Sequence, residues 1–194
     1  MRWIVVDGID GSGKSTVALW IKNHYSSRGE RVLIRIHPSN SWLGRKSRKA
    51  LEGNGKVMGL IATTFFILDV LRSLKCLKKD RKKYDTIIFV RYLMATAYLP
   101  KKLAPKGYDF FSKLLPIPPR LLLVDVDPET ANQRIHERGE SKEMFEDVAS
   151  LNKVREKILF LALRGQWRII DNTRSEECVK NTLTLTLEEW DSVF

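Results

Sequence analysis

The sequence predicts a three-layer α/β fold, with a parallel sheet of five strands covered by helices on both faces. Short apolar runs recur along the chain, and stretches with helical spacing separate them. Strands joined through helices run parallel, and a sheet covered on both faces is built from near-continuous apolar strands. The third observation is a glycine-rich turn, Gly8 to Gly13, between the first strand-like run and the first helical one.

Taken in order, Arg2–Asp7 (RWIVVD) reads as the first strand. Lys14–Ser27 follows as a helix with Val17, Trp20, Ile21 and Tyr25 on one face. Arg31–Ile36 is the second strand candidate. Lys56–Lys79 is apolar nearly all round, which predicts a helix buried on several sides, between the sheet and a ligand cleft. Thr86–Val90 and Arg120–Asp125 are the third and fourth strands, followed by helical patterns over Pro128–Arg138 and Glu143–Leu163. Trp167–Ile170 is the fifth strand. Ser175–Val193 closes the series, with Val179, Leu183, Leu187 and Trp190 at helical spacing. Pro38-Ser39-Asn40, Gly53-Asn54-Gly55 and Pro116 to Pro119 mark loops. A length of 194 residues with no repeat or low-complexity linker suits one domain.

Composition narrows the function classes. With only two cysteines, Cys76 and Cys178, neither a disulfide framework nor a thiolate metal site is expected. The three histidines, His24, His37 and His136, are scattered, which argues against zinc. The apolar stretch Met58 to Leu68 is too short to span a bilayer, and the chain opens on a strand rather than a leader, so a cytoplasmic protein without a membrane partner is expected. A net charge of +11 points to a polyanionic partner: nucleotide, nucleic acid or anionic membrane. The densest basic run, Lys75–Lys83, has six basic residues in nine and reads most simply as a solvated helix end.

Gly8, Gly13, Lys14 and Ser15 fit G-x-x-x-x-G-K-[ST] without a gap, with an apolar strand before and a helix after. Glycine is needed there because main-chain N–H groups must approach phosphate oxygens closely, and the helix N-terminus adds partial positive charge. Lys14 would reach the β/γ-phosphates and the Ser15 hydroxyl would bind Mg²⁺. The motif predicts a bound nucleoside triphosphate.

DGIDGSGKST (Asp7–Thr16) resembles the loop of thymidylate kinases, within the nucleoside monophosphate kinases. VRYLMATAYL (Val90–Leu99), LLLVDVDPETANQRIHERGE (Leu121–Glu140) and WRIIDNTRSEE (Trp167–Glu177) are similar to later segments of the same family. The resemblance implies a phosphate-loop fold with strand order 2-3-1-4-5, ATP as donor with Mg²⁺, a nucleoside monophosphate acceptor, most simply dTMP, and a homodimer. It implies ATP contacts along Gly8, Ile9, Asp10, Gly11, Ser12, Gly13, Lys14, Ser15 and Thr16, with Arg134 and Asp171 added. It implies an acceptor site of Asp10 on the sugar 3′-hydroxyl, Arg91 on the phosphate, Phe66 on the base, and Tyr98. It implies a lid over 138–146 whose Arg138 and Lys142 join Lys14 and Arg91 in catalysis. Asp10 also reads as a turn residue, and Phe66 as an ordinary core ring.

The pattern departs from the family at four places. Val90 stands where the family has a metal-positioning aspartate. Arg35 comes one residue before the usual position of an arginine after the second strand. Val70 replaces a base-reading arginine, and Arg72, two residues on, points about 200° away around a helix. The segment after Tyr92 is one residue short. A kinase for another nucleotide or small phosphate ester therefore stays open, as does a weakly active nucleotide-binding protein contacting RNA through Lys75–Lys83.

Overall fold

The structure is a computed structural model that describes residues 1–53, 56–137 and 147–193. Five parallel strands, β1 (Arg2–Asp7), β2 (Val32–Ile36), β3 (Thr86–Val90), β4 (Arg120–Asp125) and β5 (Trp167–Asp171), form one sheet in the order β2-β3-β1-β4-β5. The expected order is the observed one, and β1 lies at the centre.

Alternation along the strands divides the core in two. Trp3 and Val5 of β1, Ile87 and Phe89 of β3, and Leu121 and Leu123 of β4 face one side. There they meet α3 (Lys56–Asp80), α4 (Ala104–Leu114) and α6 (Val148–Arg164). Ile4, Val6, Ile88, Val90, Leu122 and Val124 face the other side, against α1 (Lys14–Ser26) and α7 (Glu176–Val193). The helical face read from Val179, Leu183, Leu187 and Trp190 is the buried face of α7. Phe89 is fully buried, with the rings of Trp3, His37 and Tyr92 edge-on at 5.3, 5.3 and 5.9 Å.

Two helices do not show in the apolar pattern. The first, α2 (Trp42–Leu51), buries only Gly44, Ser47 and Ala50, so its inner face carries no large side chain to betray it. Ser41 caps it, accepting from Gly44 N at 3.2 Å. The second, α4, has a proline in its first turn, where the missing N–H costs nothing. A 3₁₀ turn, Met94–Tyr98, stands where the resemblance implies a short helix. α6 starts at Val148, where Asp147 caps it by accepting from Ser150 N at 2.9 Å; the part of the expected pattern from Glu143 to Glu146 lies outside the described residues. α5 runs Pro128–Glu137.

The expectation of a helix buried on several sides is corrected for α3. One side, with Ala62, Asp69, Val70, Ser73 and Leu77, is buried, but Val57, Leu60, Ile61, Leu68 and Leu71 stand exposed along the opposite side. α3 covers the outer part of one sheet face and also packs against α2, where Ser47 donates to the Ala62 carbonyl, but its outer side is left uncovered. The helix from Val57 to Asp80 is also long and apolar enough, by length and composition alone, to cross a membrane; the apolar stretch ends at Leu68, but the helix does not. Its sheet-facing side is nonetheless packed in the core.

The basic run Lys75–Lys83 closes α3 and turns into the start of β3. Ligands of open α/β sheets bind at the carboxyl ends of the strands, so this charge lies at the wrong end of the sheet for the phosphate loop. Deleting the Phe89 ring should test the core most severely. Phe89→Ala is expected to cost about 3–5 kcal/mol of unfolding free energy, read from urea titration.

Candidate active site

Between β1 and α1 the chain adopts a conformation only glycine sustains. Gly11 and Gly13 have φ of 75° and 86°. A Cβ on Gly11 would lie 2.3 Å from the Ala131 carbonyl oxygen, and one on Gly13 2.5 Å from Asn172 Nδ2. Asn172, just after β5, donates Nδ2 to the Ser12 carbonyl at 2.7 Å and its own N–H to the Asp125 carbonyl at 2.8 Å. Arg134 of α5 donates to the Asn172 carbonyl at 3.1 Å. The loop is thereby tied to the ends of β4 and β5. Lys14 is buried, donates to the Ile9 carbonyl, and lies 3.7 Å from Asp10 Oδ1. Ser15 and Thr16 are exposed on the first turn of α1, where the helix dipole favours an anion.

Immediately after β3, Arg91 has φ of 64°, the one non-glycine with positive φ among the described residues. An L-residue there costs of order 1–3 kcal/mol and persists only where its surroundings hold it. Arg91 N–H donates to the Val6 carbonyl at 3.0 Å. Asp7 Oδ2 accepts from the N–H groups of Tyr92 at 2.8 Å and Met94 at 3.1 Å, and Oδ1 accepts from Gly8 N–H at 3.1 Å. His37 Nδ1 donates to the Arg91 carbonyl at 3.1 Å, which leaves Nε2 to accept from Ser73 Oγ at 2.8 Å. Asp7 and His37 together hold the turn that presents the guanidinium.

That guanidinium donates to Asp10 Oδ1, and Tyr98 Oη donates to Asp10 Oδ2 at 2.8 Å. Burial would raise the Asp10 carboxyl, but Arg91 and Lys14, with the Tyr98 bond, hold it well below the ordinary carboxylate range. Burial and the Asp10 charge push the Tyr98 phenol well up. Burial also raises Asp7, against its three N–H donors and Lys14.

Two clefts meet at this point. One runs along Gly11, Gly13, Lys14, Ser15 and Thr16, with Arg134 and Asn172 opposite. The other runs past Tyr98 to Phe66, Leu51 and Ser47, under α2 and α3. Asp10, Pro38 and Arg91 line both, so a ligand in either cleft reaches the same carboxylate and guanidinium. A phosphate-loop cleft opening into a second cleft over one shared arginine is the layout of a kinase with a small acceptor. The thymidylate kinase family model matches residues 6–183. The chain belongs to that family. A thymidylate kinase of Leptospira borgpetersenii is 28% identical over 99% of this chain and 96% of its own length. Probable thymidylate kinases of Pyrobaculum aerophilum and Methanocaldococcus jannaschii are 30% and 31% identical, covering 91% and 93% of each chain.

Among the thymidylate-kinase residues expected from sequence, the structure brings Gly8, Asp10, Gly11, Gly13, Lys14, Ser15, Thr16, Phe66, Arg91, Tyr98 and Arg134 to the walls of the clefts. Ile9 contributes its carbonyl while its side chain is in the core, and Ser12 Oγ is buried. Asp171 turns aside to Thr173 Oγ1 at 2.5 Å and Arg174 Nε at 3.2 Å, and Asn172 faces the loop in its place. Arg138, Lys142 and the span 138–146 lie outside the described residues. Arg35 binds Asp80 Oδ2 at 2.5 Å, Val70 is buried among core side chains, and Arg72 is exposed. Val90 lines the triphosphate cleft but is 1% exposed and packed in the core.

Sequence reading gave no role to Asp7, His37 or Arg48, and for Asn172 the resemblance implied a place near the adenine rather than an anchor for the loop. Asp7 and His37 act on the Arg91 turn, Asn172 anchors the loop, and Arg48 of α2 reaches the triphosphate cleft while donating to the Ser39 carbonyl at 3.1 Å. The signal available for Asp7 was a charged residue ending an otherwise apolar central strand. For the metal the family uses, the described residues contain no cluster of three or more acids, histidines or cysteines. The exposed Ser15 hydroxyl fits one Mg²⁺ position, and Mg²⁺ accepts phosphate oxygens and water for the rest.

Asp7→Ala leaves three buried N–H groups without their acceptor. A loss of about 3 kcal/mol or more is expected by denaturant titration, together with weakened phosphate binding at Arg91. Burial lowers the His37 pKa from its ordinary 6.5, so the unfolded chain binds this proton more readily. The neutral ring's contribution is complete above pH 6.5 and is lost as pH falls from there through the lower folded value. Thermal melts between pH 7.5 and 5 should show this acid-side fall, flattened in His37→Gln.

Proposed function

We propose that the chain transfers the γ-phosphoryl group of ATP to the phosphate of dTMP, giving dTDP and ADP. The observation that carries this reading is the shared wall of Asp10 and Arg91 between a phosphate-loop cleft and a second, more apolar one.

The transferred group carries charge spread over its oxygens, so positioning and fixed cations do most of the catalytic work. ATP lies along Gly8–Thr16, with the N-terminus of α1 and the Lys14 ammonium facing its outer phosphates. Mg²⁺, held on Ser15 and phosphate oxygens, neutralises part of that charge when bound. Arg91 grips the acceptor phosphate with its guanidinium fork, for which two parallel N–H bonds suit a phosphate better than an ammonium would. As Arg91 turns to phosphate, Asp10 is released to accept the sugar 3′-hydroxyl beside Tyr98. An acceptor phosphate oxygen then attacks the γ-phosphorus, and the bond to the ADP oxygen breaks.

Resemblance alone supports a lid over 138–146 bearing Arg138 and Lys142, while length and sequence pattern support a single domain and a cytoplasmic enzyme. The homodimer has an additional support in the exposed apolar row from Val57 to Leu71. This row is about 21 Å long on one side of α3, and a second copy of the chain would cover it.

Lys14→Ala should abolish detectable MgATP binding and phosphoryl transfer, measured by calorimetry and coupled ADP release. Parent-like binding would refute the donor site. Turnover should be highest with dTMP across a panel of nucleoside monophosphates; no turnover with dTMP would remove the acceptor assignment. Leu60→Glu should convert a dimer to monomer by light scattering without unfolding it.

A further inference from the structure

The second cleft changes character along its length. At its mouth stand Asp10, Arg91 and Tyr98; deeper, its walls are Leu51, Ala62, Phe66 and Ala95, with two hydroxyls, Ser47 and Thr63. A nucleotide with its phosphate at Arg91 and its sugar at Asp10 has its base at this deeper end. Among the described residues lining that end, those hydroxyls are the polar side chains a base could meet.

Both have already given their protons away. Ser47 Oγ donates to the Ala62 carbonyl at 2.9 Å, and Thr63 Oγ1 donates to the Gly59 carbonyl at 2.8 Å. Ser47 is 1% exposed, and its hydroxyl ties α2 to the Ala62 carbonyl of α3. With those hydrogens directed at carbonyls, the oxygens of these two cleft-lining residues keep lone pairs for a ligand. An acceptor-only wall selects a base edge that offers a donor. Val70 sends no donor there, since its side chain is apolar and packs further along the same face of α3, near Tyr92, Leu93 and Leu99.

We infer that Thr63 and Ser47 read the base of the acceptor nucleotide by accepting its ring N3–H, the donor that thymine and uracil share. The inference rests on the proposed dTMP site. Recognition centres on N3–H, whereas the exocyclic O4 meets no donor side chain among the described lining residues. The 5-methyl group adds apolar contact only. A methyl buried at about 0.8 kcal/mol corresponds to roughly fourfold in affinity, so dUMP should bind within about tenfold of dTMP.

The test is calorimetric titration of the full chain with dTMP, dUMP and N3-methyl-dTMP, with MgATP affinity as the control for folding. The parent should bind dTMP at least about tenfold more tightly than N3-methyl-dTMP. Thr63→Val and Ser47→Ala should each weaken dTMP several-fold, together erase most of the preference over the N3-methyl compound, and leave MgATP affinity unchanged. Thr63→Ser, which keeps the hydroxyl, should restore dTMP binding. Parent-like dTMP affinity in the double variant, or equal weakening of dTMP and the N3-methyl compound, overturns the inference and leaves the dTMP site standing. If the parent binds MgATP and none of the three pyrimidine nucleotides, the dTMP site itself falls, and this inference with it.

Discussion

The buried carboxylate of Asp10 is the constraint around which the site is organised. It lies in low dielectric, where an uncompensated charge would cost several kcal/mol, and it stays ionised because Lys14, Arg91 and Tyr98 surround it. Those three come from the start of α1, the end of β3 and the 3₁₀ turn, so one group fixes the relative placement of three elements. In the ligand-free chain it also keeps both phosphate-seeking cations occupied. Under the proposed function, an anionic ligand would exchange with a carboxylate already seated between those cations.

Arg91 shows how the fold supports such an exchange. Its left-handed backbone is held from behind by Asp7 from the central strand and by the neutral His37 ring. Because the main chain is held separately, the guanidinium can change partners without the turn relaxing. The phosphate loop follows the same logic, with Asn172 fixing the backbone and leaving Lys14 and Ser15 to line the cleft.

The layers and strand order were legible because buried parallel strands leave continuous apolar runs, and helix faces such as Val179 to Trp190 repeat at 3.6 residues. α2 was not, because its buried face is Gly44, Ser47 and Ala50, which carry no hydrophobic signal. In the site, the loop was legible since its chemistry is confined to eight consecutive residues. The roles of Asp7, His37, Asn172 and Arg48 depend on partners from 36 to 160 positions away or on main-chain groups, and no local pattern encodes such pairings. Val90 and Val70 were legible as departures; that both are absorbed into the core is a property of packing alone.

α3 presents two different surfaces along the same few turns. Thr63 and Phe66 line the nucleotide cleft, while Leu60, Ile61 and Leu68, within one turn of them, lie on its outer side. A helix is stiff across its own diameter, so pressure on the outer row moves the inner wall as a rigid rod. If that outer row is the face of the proposed dimer, a second copy resting on it would set the width of the slot behind it, and self-association and acceptor choice would be mechanically linked.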